Sequence, residues 1–136
     1  EDAPNKSSSD QNLSADRADN IDIFNLRAIN NIREVEQQTG KIILPSILVG
    51  FRTQMDEKLE QMSKELEQGN TEQFYRSAHA VKSMSANIGA EKVRLISALL
   101  ESKGRQGEFS EARNSIDLLR NAYIEFVERF EEDFIN

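Results

Sequence analysis

His79 is the only histidine in the chain, and Lys82 follows it three places later in the stretch AHAVKSMSANIGA, residues 78–90. An imidazole is a nucleophile as long as one ring nitrogen keeps its lone pair. Histidine side chains in water titrate near about pH 6.5, so at neutral pH most are in that form. A lysine one helical turn further on supplies a flexible ammonium that can reach a negative group carried by the ring. The two residues therefore suit chemistry in which a histidine accepts an anion. Alone they are weak evidence, because charged neighbours on a helix are usually a solvated face.

The elements that must present this pair are helical. From Ile21 onward the apolar residues recur at steps of three and four, and the only prolines are Pro4 and Pro45. Five segments are predicted, at about 23–38, 44–68, from the Asn70–Thr71 cap to 88, 90–103 and 108–134. The first carries Leu26, Ile29, Ile32 and Val35 and ends before Gly40. The second places Pro45 in its first turn, where a missing N–H does no harm. Asn70 or Thr71 can cap the third, which stops at Gly89. The fourth breaks at KGRQG, and the last aligns Phe109, Ala112, Ile116, Leu119, Tyr123, Phe126, Phe130 and Phe134. The expected fold is all-α: an antiparallel four-helix bundle with a short extra N-terminal helix, spanning residues 21–136. Residues 1–20 have one large apolar side chain, Leu13, too little to order a backbone, and read as a flexible linker or tail.

On the third helix Phe74, Ala78, Val81, Ser85 and Ile88 form one row facing the core. At about 100° per residue, His79 lies about 140° from that row, Lys82 about 80°, Ala86 about 120° and Ser83 about 180°. His79 is thus predicted to be exposed in mid-helix. Ser83 and Ala86 are short, so a second protein can bring its surface close to the imidazole. Tyr75 borders the same face, either as docking surface or as packing at the edge of the core.

Composition narrows the chemistry further. There are 17 Lys and Arg against 24 Asp and Glu, a net charge of −7, which repels nucleic acid. With no cysteine and one histidine, neither a disulfide framework nor a zinc site is expected. No apolar run approaches the roughly 18 residues of a membrane span, so no membrane contact is expected. Glu131, Glu132 and Asp133 are adjacent, and neighbouring helix positions splay about 100° apart, which prevents a joint grip on one ion. No Walker-type glycine-rich loop is present to hold ATP.

AHAVKSMSANIGA resembles the signature of the histidine-containing phosphotransfer (HPt) family. A phosphoaccepting histidine is there followed by lysine at plus three, small residues at plus four and plus six, and a hydrophobic–glycine–small ending. Here these are His79, Lys82, Ser83, Ser85 and the trio Ile88, Gly89 and Ala90. Ser83 departs from the glycine of many members but is also small. The likeness extends through FRTQMDEKLEQMSKELEQGNTEQFYRSAHAVKS and LLESKGRQGEFSEA, and covers roughly residues 21–134.

The resemblance implies a phosphocarrier of a two-component phosphorelay and not an enzyme. Nε2 of His79 would accept a phosphoryl group from a receiver-domain aspartate and pass it to another, with Lys82 pairing with its oxygens. Glu101 would hydrogen-bond toward the imidazole or be a plain surface glutamate, and Gly89 would end its helix and let the next one pack. It implies receiver domains as partners and no cofactor in this domain, a divalent cation, Mg2+, coming with the receiver. It also implies a cytoplasmic module, either free-standing or the HPt domain of a bacterial hybrid sensor histidine kinase; the absence of an initiating Met and the tether-like start favour the hybrid. A monomer is expected. The competing reading is a helical interaction or scaffold module in which His79 is incidental.

Overall fold

The computed structural model of the protein describes residues 21–135. The linker expected at residues 1–20 lies outside them. Five helices follow in order: α1 (Leu26–Thr39), α2 (Leu44–Gln68), α3 (Thr71–Ile88), α4 (Glu91–Arg105) and α5 (Ala112–Phe130), the last running into a π-helical turn, Glu131–Ile135. Helices α2 to α5 pack each on the next, and α5 returns against α2 to close an antiparallel four-helix bundle, with α1 laid across α3. The described residues form no strand, only an isolated antiparallel bridge between Phe24 and Ala90.

The bundle closes on one core. Its large, fully buried side chains include Met55 and Met62 of α2, Phe74, Val81 and Ile88 of α3, Val93, Ile96 and Leu100 of α4, and Leu119, Phe126 and Phe130 of α5. The whole predicted row of α3 is buried, including Ser85, whose hydroxyl finds no hydrogen-bond partner among the described residues. Of the stripe on α5, Ala112 to Phe130 is buried, while Phe109 and Phe134 pack on its margin.

Helix ends differ from expectation where side chains from elsewhere intervene. Asn25 accepts from the N–H groups of Arg27 and Ala28, so α1 starts at Leu26 and residues 23–25 stay outside it, with Asn25 itself extended. That segment docks on the α3–α4 turn: the Asn25 N–H donates to the Gly89 carbonyl at 2.8 Å and the Glu91 N–H to Ile23 at 3.0 Å. In α1 only Ile29 is buried, and Leu26 and Val35 are exposed. Three-residue steps rotate back by about 60° each time, so four such residues fan across half the helix and cannot share one face. At the start of α2 no local side chain caps; the Glu36 carboxylate reaches from α1 to accept from Ile43 and Leu44 at 2.6 and 2.9 Å. Those two bonds hold the Glu36 carboxyl below its ordinary value.

The expected break at KGRQG comes later than predicted. Helix α4 runs through Gly104, which is helical and buried, and Gly107 at φ 69° ends the segment. A methyl at Gly104 would stand 2.8 Å from Cβ and 3.3 Å from Cα of Tyr75, so glycine here allows α4 to lie close on α3. At the other end α5 begins at Ala112, not 108, because residues 108–111 are taken up in the turn in which Ser110 bonds the Glu108 carboxylate.

The two glycines inside helices should respond oppositely to alanine. Gly50→Ala meets open space and should raise stability by up to about 1 kcal/mol through helix propensity. Gly104→Ala meets the Tyr75 backbone, an overpacking that typically costs about 1–3 kcal/mol and outweighs the same gain. Thermal unfolding of the two variants beside the wild type reads the opposite signs.

Candidate functional site

Helices α3 and α4 form a hairpin folded about Gly89 and Ala90, so residues equally distant from that turn come face to face. His79 therefore meets Glu101, and Tyr75 meets Gly104 and Arg105. Two features set the hairpin. Gly89 takes φ 83°, and a Cβ there would strike the Asn25 carbonyl at 2.9 Å, so the turn needs glycine on both counts. Ser77 fixes the rotation of α3 by donating to the Glu65 carboxylate of α2 at 2.9 Å.

His79 points outward from mid-helix with 56% of its side chain exposed. Its Nδ1 lies 2.9 Å from Oε2 of Glu101. Lys82 brings Nζ to 2.7 Å from Oε1 of the same carboxylate, and Nη2 of Arg105 lies 3.1 Å from Oε2. Glu101 itself is only 6% exposed. Burial alone pushes its carboxyl up, but the hydrogen bonds from Lys82, Arg105 and His79 outweigh it and hold the group at about 2. A carboxylate ionised at every ordinary pH only accepts hydrogen bonds, so Nδ1 carries the proton and Nε2 keeps its lone pair. No described residue bonds to Nε2.

The remaining predicted residues frame this group. Ser83 and Ala86 are exposed and leave the surface beside the imidazole low. Tyr75 is partly buried, its Cβ against Gly104 and its ring under the Arg105 guanidinium at 4.6 Å. Gly89 lies at the far end of α3 as a helix terminator. Arg105 and Gly104 were missed by sequence reasoning, which treated KGRQG as a loop; the register of an antiparallel hairpin, counted outward from Gly89, was the signal that could have found them.

The site is an exposed helix face. Open hollows of about 420 Å³ between α1 and the C-terminal turn, lined by Arg33, Glu36 and Phe134, and of about 440 Å³ beside Tyr123 and Ile124, include none of its residues. No group of three or more His, Asp or Glu placed to hold a metal ion occurs among the described residues. Glu131, Glu132 and Asp133 sit in the π turn with Arg52 and Arg129 at 3.6–3.9 Å. No described helix is long and apolar enough to cross a membrane.

The sequence pattern of the Hpt domain family matches residues 46–129, which hold His79, Lys82, Glu101 and Arg105. This chain belongs to the Hpt domain family. Its fold is also that of an Hpt protein: the crystal structure of histidine-containing phosphotransfer protein B (HptB) from Pseudomonas aeruginosa PAO1 superposes with a TM-score of 0.73. That match covers 82% of this chain and 93% of the other at 22% sequence identity, and it speaks for the fold. No curated protein sequence matches the chain. Histidine phosphotransfer in a phosphorelay is accordingly the function of this Hpt domain.

The ion cluster predicts how the domain responds to acid. The Glu101 carboxyl is lowered from 4.5 to about 2 on folding, so its contribution is complete above pH 4.5 and is lost as pH falls toward 2. Glu101→Gln should lower stability at pH 7 by up to about 3 kcal/mol, the linkage equivalent of that shift, and the difference from wild type should shrink below pH 4. Urea unfolding midpoints of both proteins between pH 7 and 3 measure it.

Proposed function

We propose that Nε2 of His79 is the phosphoryl acceptor, oriented by Glu101 and served by Lys82. The observation that carries this is the bond from Nδ1–H to a buried, ionised carboxylate, which selects the tautomer with a free lone pair on the exposed nitrogen. The donor is an aspartyl phosphate on a receiver domain. The Nε2 lone pair forms the N–P bond, the P–O bond to the aspartyl carboxyl breaks, and its electron pair leaves with the carboxylate. The ring then carries a positive charge, with Nδ1–H still directed at Glu101. Attack by an aspartate of a second receiver reverses these changes.

Because the donor is already activated, the carrier has only to position the imidazole and offset charge in a loose, in-line transition state. Lys82 is the mobile part. Its ammonium rests 2.7 Å from Glu101 and is one helical turn from His79, close enough to leave the carboxylate for the phosphoryl oxygens. Ser83 and Ala86 give the receiver room to approach, with Tyr75 on the border of its footprint. In this reading the domain is a carrier without an ATP site or cofactor of its own, and the divalent cation, Mg2+, comes with the receiver. It works in the cytoplasm, free-standing or as part of a kinase.

The test is incubation with a panel of phosphorylated receiver domains, scoring acid-labile, base-stable label. The wild type should be labelled and His79→Gln should not, with unchanged helical circular dichroism, since Glu101 keeps its bonds from Lys82 and Arg105 and a glutamine amide can still donate to it. Lys82→Ala should still be labelled but about ten- to a hundredfold more slowly, the equivalent of a charge-assisted hydrogen bond worth about 1.5–3 kcal/mol. A folded wild type that no receiver labels would favour the scaffold reading instead.

A further inference from the structure

A carboxylate bonded to a histidine ordinarily does two things at once. It fixes the tautomer, and it favours the protonated ring, because the negative charge stabilises an imidazolium. For a nucleophilic histidine the second effect is harmful, since an imidazolium has no lone pair on Nε2. At this site two cations, Lys82 on Oε1 and Arg105 on Oε2, converge on the carboxylate that holds Nδ1. They offset its charge and leave its geometry intact.

The two cations are not equivalent. Lys82 binds the oxygen that His79 does not use, and in the proposed transfer it departs for the phosphoryl group. Arg105 binds Oε2, the same oxygen that takes the Nδ1–H bond, so its Nη2 and the ring nitrogen are at most about 6 Å apart, the sum of the two bond lengths. It is also held independently of His79, with its guanidinium carbon 4.6 Å over the Tyr75 ring as a cation–π contact and Gly104 allowing α4 that close to Tyr75. A planar guanidinium keeps this contact and the bond to Glu101 together while Lys82 moves.

We propose that Arg105 is a positioning residue for phosphotransfer: by sharing the carboxylate oxygen that holds Nδ1 of His79, it lets Glu101 orient the imidazole without driving it to the imidazolium. This rests on His79 being the acceptor. Other charges on the elements around His79 are already engaged. Arg76, one turn earlier on α3, is paired with Glu72 at 2.8 Å, and Glu65 of α2 takes the Ser77 hydroxyl. Lys103 of α4 makes no ion pair with the cluster.

The experiment follows labelling by phosphoramidate, a small donor that needs no receiver, from pH 5 to 9 in the wild type, Arg105→Ala, Arg105→Lys and His79→Gln. Rates are read as ratios to the wild type, so the donor's own titration cancels. Loss of a cation at most about 6 Å from the ring nitrogen should move the low-pH limb of the Arg105→Ala profile up by at least about half a unit. Arg105→Lys, which keeps the charge without the planar group, should restore most of the wild-type profile. Long-range proton–nitrogen spectra of the His79 ring across the same pH range should show the same displacement with no donor present.

An unmoved profile and ring titration in Arg105→Ala would overturn the inference, and so would equal slowing in Arg105→Ala and Arg105→Lys at every pH, which is what a purely structural contact with Tyr75 predicts. Failure of the acceptor assignment looks different: the wild type takes no label, or His79→Gln takes as much.

Discussion

One ionised carboxylate, Glu101, lies at the seam between α3 and α4, and the site is arranged around it. A buried carboxylate is stable only when donors replace the water it has lost. Here the replacements are the ring of His79, the ammonium of Lys82 and the guanidinium of Arg105. The need to satisfy Glu101 is therefore also what orients the imidazole. The bonds that satisfy Glu101 are the same ones that hold the imidazole, so the cluster cannot loosen without a cost to the fold.

The rest of the bundle keeps that seam closed. Gly104 lets α4 lie against Tyr75, and Gly89 turns the chain so that His79 and Glu101 are in register. The segment before α1 ties down the turn through the backbone of Gly89 and Glu91, while Phe24 packs edge-on against Phe126, Phe130 and Phe134 at 5.1–6.4 Å. Glu36 caps α2 from α1, and Ser77 joins α3 to α2. These ties act on the end and the inner side of α3, and its outer side, with His79, stays bare. The result is a helix held along its inner side that offers His79 to solvent, with 56% of its side chain exposed.

Much of this was legible in local patterns. The core row Phe74, Ala78, Val81, Ser85 and Ile88 has the helix period, so the outward direction of His79 followed from counting residues, and the helix starts at Leu44 and Thr71 carried Pro45 and Asn70 as signals. What misled was local too. KGRQG looks like a break because two glycines sit close together, yet Gly104 serves a neighbouring helix and only Gly107 turns the chain. Leu26 and Val35 appeared apolar enough for the core, but the three-residue step carries them around to solvent.

The sequence by itself determined the helices, the exposed histidine with its lysine, and the family, because periodicity, caps and short motifs are carried by residues a few places apart. Which donors meet on Glu101 was decided only by the tertiary structure. The bonds from His79 and Arg105 to one oxygen depend on the separation and rotation of two helices, and those are set by Gly104 against Tyr75, by the Gly89 turn and by the segment docked on it. Contacts between residues far apart in the chain have no period to betray them.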